Sequence, residues 1–188
     1  MGEASGQAFR EPEILFRPDA LTGRVEEMAQ EIAAKKPCDL VAIPIMTGAF
    51  VFAADLLRAM HRAGLSPEVD FIQIASYGAR TKSSGRIELL RDLNARVAGR
   101  DALLIDDILE SGRTLAFARR LLLTRGARRV MIAALLEKPH KKEIEVAADF
   151  VGFACPDRFV VGYGMDYAGN YRQLPFVGAL DGPDQANR

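Results

Sequence analysis

The sequence predicts an α/β fold, a central, mainly parallel sheet flanked by helices. Two observations carry this. Strand-like and helix-like segments alternate through the middle of the 188-residue chain, the order expected of parallel strands joined by helical crossovers. The strand-like segments are also continuous apolar runs, such as "LVAIPI" (40–45) and "RVMIAALLE" (129–137), with no polar residue at alternate positions. Strands of that kind are buried on both faces, as in a sheet covered on each side. The length suits one compact domain, and a hydrophobic content of 49% supplies its core.

Residues 1–13 and about 181–188 read as polar tails. In "GRVEEMAQEIAAKK" (23–36), Val25, Met28, Ala29, Ile32 and Ala33 share one stripe, a helical spacing. After strand 40–45, "AFVFAADLLRAMHRAG" (49–64) is a helix closed by Gly64. "EVDFIQIAS" (68–76) is β-rich, the polar and basic "YGARTKSSGR" (77–86) is a loop, and 87–93 returns as a strand. "ALLIDD" (102–107) is a strand, and 112–126 a helix with Leu115, Ala118 and Leu122 on one side. Strand 129–137 is followed by short strands in "DFVGF" (149–153) and "RFVVGYG" (158–164), then an irregular stretch, 165–180.

Twenty-five basic and twenty-five acidic side chains cancel, so the overall charge advertises neither nucleic-acid nor membrane binding. Cys38 and Cys155 stand in no zinc-type or disulfide spacing. The opening "MGEASGQAFREPEI" lacks a basic start followed by an apolar run, and the most apolar stretch (40–54) is broken by Pro44, Thr47 and Gly48. These features set the expectation of a soluble, cytoplasmic protein. His61 and His140 have no nucleophile partner in a recognisable motif and are assigned to solvent.

The chemistry concentrates in "ALLIDDILESGRT" (102–114). Ligands of parallel α/β sheets sit beyond the carboxyl ends of strands, where Asp106 and Asp107 fall. A turn into a helix N-terminus offers unpaired N–H groups and a positive dipole end, an anion site. Gly112 allows close backbone approach there, and Ser111 and Thr114 add hydroxyl donors. Neither GxxxxGK[ST] nor GxGxxG occurs in this segment. Two acids repel a phosphate; they need hydroxyl donors or a divalent cation. A ribose 5-phosphate meets both demands, with its diol on the acids and its phosphate in the turn.

This segment resembles the phosphoribosyl-pyrophosphate (PRPP) motif of type I phosphoribosyltransferases. "IMTGAFVFAADLLR" (45–58), "SYG" (76–78), "LLEKP" (135–139) and "DFVGFACPDRFVVGYGMDYAGNYRQLP" (149–175) are similar to successive segments of hypoxanthine-guanine phosphoribosyltransferases. The resemblance implies a single domain over 1–188, with a core of about 38–150 and a small hood subdomain from about 1–20 and 151–188. It implies a purine salvage enzyme that takes PRPP and a 6-oxopurine, uses Mg²⁺, and works as a homodimer or homotetramer.

Carried over residue by residue, Asp106, Asp107, Ile108, Leu109, Glu110, Ser111, Gly112, Arg113 and Thr114 would bind PRPP or nucleotide. Thr47, Gly48 and Arg172 would bind pyrophosphate. Lys138 would donate to the purine 6-oxo group, Phe159 stack on the ring, Val160 meet its edge through the backbone, and Asp166 complete the purine side. Asp106, Asp107 and Asp166 would face the metal, and Ser76 and Tyr77 would begin a mobile lid over 76–86. Two positions depart from the family: Thr47 stands where many relatives carry a basic residue, and Glu110 where the proton-accepting aspartate is expected. Two other readings follow from the same residues. One is a non-catalytic PRPP- or purine-sensing regulator on this fold; the other is an enzyme preferring xanthine or guanine.

Overall fold

The computed structural model describes residues 11–76 and 87–180. In chain order the elements are β1 (Glu13–Phe16), α1 (Pro18–Ala34), β2 (Val41–Met46), α2 (Phe50–Arg62), β3 (Glu68–Val69), β4 (Ile72–Ser76) and β5 (Ile87–Arg91). Then come β6 (Asp101–Leu109), α3 (Arg113–Thr124), β7 (Arg129–Glu137), a 3-10 turn (Pro139–Lys141), β8 (Phe150–Ala154), β9 (Phe159–Val161) and β10 (Val177–Leu180). No helix among the described residues is long and apolar enough to cross a membrane.

The larger sheet runs β5-β4-β2-β6-β7-β8, with β3 also beside β2. Its pairings are parallel except β4 with β5. The fold class is therefore the one expected, and the apolar runs explain it. Ala42, Leu103, Ile105, Met131, Ala133 and Leu135 pack on one face, under α1 and α2. Their alternating neighbours Ile43, Ala102, Leu104, Val130, Ile132 and Ala134 pack on the other, under Leu115, Ala118 and Leu122 of α3. Each strand thus buries both sets of side chains, as a period of two with two covered faces requires.

Three expectations are corrected. The first helix starts at Pro18, not near residue 23, and already buries Leu21; proline at the first helical position has its φ preset and gives up an N–H that has no helical partner there. Residue 13, read as the end of a tail, begins β1. The stretch read as irregular ends in β10, whose four residues are all buried. β1, β10 and β9 form a separate antiparallel sheet, in which Ile14 pairs Gly178 and Val160 pairs Ala179. "EILF" and "VGAL" lack polar alternation, and partners far apart in the chain decide their conformation.

At the amino end of β6, Asp101 is fully buried and ties three segments together. Its carboxylate accepts from Arg128 Nε at 2.9 Å and Nη2 at 2.7 Å, Arg129 Nη2 at 2.6 Å and the Cys38 N–H at 3.0 Å. Burial alone would raise its pKa, but the hydrogen bonds from Arg128, Cys38 and Arg129 outweigh burial and hold it below the usual carboxylate range. A depressed folded pKa adds stability that is present above the unfolded value, about 3.9, and lost as pH falls through the folded one. Asp101→Asn is expected to cost on the order of 2 kcal/mol at pH 7, read by denaturant unfolding. The gap from the parent protein should narrow in acid below pH 4.

Candidate active site

Parallel strands end on the same edge of a sheet, so β2, β6 and β7 deliver their following loops to one place. The cavity there has a volume of about 260 Å³. Met46 at the end of β2 and Gly48 after it, Asp106 to Gly112 at the end of β6 and in the turn beyond, Thr114 and Leu115 of α3, and Ile74 of β4 line it. Most of the predicted PRPP segment is thereby brought to one cavity. Arg113 turns away into a hydrogen bond with Glu143, Nε to Oε2 at 2.8 Å.

Asp106 is buried and Asp107 half-buried. Asp106 Oδ1 accepts the Asp107 N–H at 3.1 Å, and Asp107 Oδ1 the Ile108 N–H at 3.0 Å. Burial first, and then the charge of Asp107, push the Asp106 carboxyl well above the usual carboxylate range. Burial raises Asp107 too, against a hydrogen bond to Asp106 and the charge of Arg172. Such a pair is poised for hydroxyl donors or a cation, either of which favours the ionised form.

The turn beyond them is fixed by Gly112, which precedes α3 at φ +79°. A Cβ there would lie 2.7 Å from the Ile144 carbonyl oxygen and 2.8 Å from Val146 Cγ1, so the left-handed turn also packs too closely for a side chain. The first N–H groups of α3 beyond it have no helical carbonyl partner and share the cavity with Ser111 and Thr114.

Gly48 lies against Asp107: a Cβ on it would stand 1.9 Å from Asp107 Oδ2. The Met46–Thr47 bond before it is cis, and Thr47 is exposed. On its other side Gly164, at φ +103°, comes so close that its own Cβ would be 2.3 Å from the Gly48 carbonyl oxygen. Arg172 joins this stack, donating from Nη1 to the Gly164 carbonyl at 2.7 Å and pairing through Nη2 with Asp166 Oδ1 at 2.7 Å. Asp166 Oδ2 also accepts the Gly169 N–H at 2.8 Å.

No cluster of three or more His, Cys, Asp or Glu side chains among the described residues is arranged to hold a metal. The three expected metal carboxylates are divided, with Asp106 and Asp107 adjacent on β6 and Asp166 held by Arg172. The donors still fit Mg²⁺, which usually takes one or two carboxylates and completes its octahedron with substrate phosphates and water.

Of the residues expected to meet the purine, Lys138 is buried just after β7, and its Nζ lies 3.4 Å from Glu110 Oε1. Phe159 sits edge-to-face with Tyr167, ring centroids 5.5 Å apart. Val160 belongs to β9, an edge strand of the small sheet, so alternate backbone groups point away from β10. Ser76 ends β4 and pairs with Ile87, while Tyr77 and the rest of the lid expected over 76–86 lie outside the described residues. His61 and His140 are exposed. Sequence reasoning missed Gly164, Lys141 and Asp157. Lys141 Nζ reaches Glu110 Oε1 at 3.5 Å and Asp157 Oδ1 at 2.6 Å, and in the sequence it is one lysine of a basic run.

A family model for the phosphoribosyl transferase domain matches residues 15–168. The chain is 40% identical over 168 residues to the hypoxanthine-guanine phosphoribosyltransferase of Bacillus subtilis (strain 168), a match covering 89% of this chain and 92% of that protein. It is 41% identical over 168 residues to the bifunctional protein TilS/HprT of Listeria monocytogenes serotype 4b (strain F2365). That match covers 89% of this chain, which spans only 26% of the bifunctional protein's length. A hypoxanthine-guanine phosphoribosyltransferase from Bacillus anthracis, solved by crystallography, shares the fold with a TM-score of 0.84 at 34% identity, covering 91% of this chain and 100% of that one.

Proposed function

This chain belongs to the hypoxanthine-guanine phosphoribosyltransferase family, and from that premise we propose that it joins hypoxanthine, and guanine, to PRPP. The products are a purine nucleoside 5′-monophosphate and pyrophosphate. A ring nitrogen of the base attacks the anomeric carbon of the ribose, and the bond from that carbon to pyrophosphate breaks. The observation that carries the reading is one cavity with the Asp106–Asp107 pair, the turn into α3 and Glu110 on its walls, and with Glu110 joined to Lys138.

Asp106 and Asp107 hold the ribose diol, and the backbone N–H groups of residues 110–114 hold the 5-phosphate. The backbone of 46–48 and the guanidinium of Arg172 face pyrophosphate, whose negative charge grows as the bond breaks. Lys138 donates to the 6-oxo group, Phe159 stacks on the ring, and the open edge of β9 meets the base through Val160. Glu110 accepts the proton the base gives up. Catalysis of this kind is mostly positioning and preorganised electrostatics. Asp106, Asp107 and Asp166 are the side chains that would face Mg²⁺, which when bound neutralises charge on pyrophosphate. The small β1-β10-β9 sheet serves as a hood over the base, and the larger sheet as the PRPP core.

The test is pyrophosphate release on mixing the protein with Mg²⁺, PRPP and each of hypoxanthine, guanine, xanthine and adenine. Turnover with hypoxanthine or guanine and little with adenine is expected. Adenine as the best substrate would overturn the role of Lys138, and binding without release would favour a regulator, a reading that the relatives' names do not support.

A further inference from the structure

Glu110 Oε1 is shared by two ammonium groups, Lys138 Nζ at 3.4 Å and Lys141 Nζ at 3.5 Å. The two lysines differ in setting. The Lys138 side chain is 7% exposed, while that of Lys141 is 30% exposed and held from its far side by Asp157 Oδ1 at 2.6 Å. The backbone locks this arrangement: Lys138 N–H donates to the Leu109 carbonyl at 2.9 Å, and Lys141 N–H to the Lys138 carbonyl at 3.2 Å. Asp157 lies in the β8–β9 turn, two residues before Phe159. Lys141 therefore bridges the turn that carries Glu110 and the turn that leads into the strand of Phe159 and Val160.

We propose that Lys141 is a positioning residue, anchored by Asp157, that keeps the Glu110 carboxylate aimed at the base once Lys138 engages the 6-oxo group. The inference rests on the roles given above to Glu110 and Lys138. In the absence of a base, Lys138 and Lys141 hold the carboxylate together. When the 6-oxo oxygen takes one of the three Lys138 donors, that ammonium divides its charge between base and carboxylate, and Lys141 keeps the second hold on Glu110. Glutamate has one more side-chain torsion than aspartate, so a carboxylate held by a shared Lys138 alone has rotamer freedom to lose before it reaches the ring. The side chains of Asp157 and Glu110 are 62% and 41% exposed, and ion pairs this exposed contribute little to stability. Their effect is on geometry.

Steady-state kinetics of K141Q, K141R, D157N, E110Q and the double variant E110Q/K141Q test it. K141Q is expected to lower kcat about tenfold, since a displacement of ~1 Å costs up to ~10²-fold, with the KM for PRPP unchanged. K141R should restore most of the rate, D157N should slow the enzyme less than K141Q, and the double variant should be no slower than E110Q. That last result is the mark of residues acting as a unit. A parental kcat in K141Q, or losses that multiply in the double variant, would overturn the inference while leaving Glu110's role intact. A parental kcat in E110Q would instead overturn the reading beneath it.

Discussion

Gly48→Ala is expected to lower kcat/KM by on the order of 10²-fold with little change in Tm. The added methyl carbon would sit 1.9 Å from Asp107 Oδ2 and 2.7 Å from its Cγ, far inside van der Waals contact. The backbone has no room to retreat, because Gly164 already abuts the Gly48 carbonyl so closely that even a Cβ there would come within 2.3 Å. Asp107 must give way, and with it the grip proposed for the ribose diol. A displacement of ~1 Å in a positioning group can cost ~10²-fold. The clash falls on the end of the Asp107 side chain, which can swing aside, so global unfolding should register the change less than catalysis does. Kinetics beside a thermal melt separate the two effects: an unchanged kcat/KM would mean that Asp107 does not position the sugar.

Glu110→Gln is expected to reduce kcat by about 10²- to 10⁴-fold, the range for losing a general base, with a modest change in KM. Glutamine keeps the length of the side chain and a carbonyl oxygen for Lys138 and Lys141, so the geometry has reason to survive. What it cannot do is accept a proton. The replacement for the expected aspartate is thus a question of reach rather than acidity, since the reference pKa values, about 4.3 and about 3.9, are close. In this structure the longer carboxylate is spanned by two lysines, the constraint proposed above to stand in for the one that a shorter side chain has in its own stem. Burst-free steady-state rates with hypoxanthine as acceptor check the prediction.

The parallel sheet was legible because its strands carry their own signal: "LVAIPI" and "RVMIAALLE" are apolar on both faces, and every one of these residues except Arg129 and Glu137 is buried. The location of Asp106 and Asp107 followed from a strand end, which is local information. The small sheet was not legible. β1 and β10 are four residues each, and what makes them strands is pairing across more than 160 positions of sequence, Ile14 with Gly178. The first turn of α1 lies ahead of the apolar stripe at 25–33, and Pro18 and Leu21 are the residues that mark it. In the site, the chemistry of single residues could be read, but contacts between segments could not. Nothing in "MTG" announces that Gly48 seats a carboxylate from β6, and nothing in "KPHKK" tells that Lys138 and Lys141 meet Glu110 while Lys142 pairs with Glu137.

The most direct measurement is a crystal structure of the protein with inosine 5′-monophosphate. The account predicts both ribose hydroxyls within hydrogen-bond distance of the Asp106 and Asp107 carboxylates, with the phosphate on the N–H groups at the start of α3. A nucleotide bound elsewhere on the molecule, or one whose phosphate avoids that turn, would contradict it.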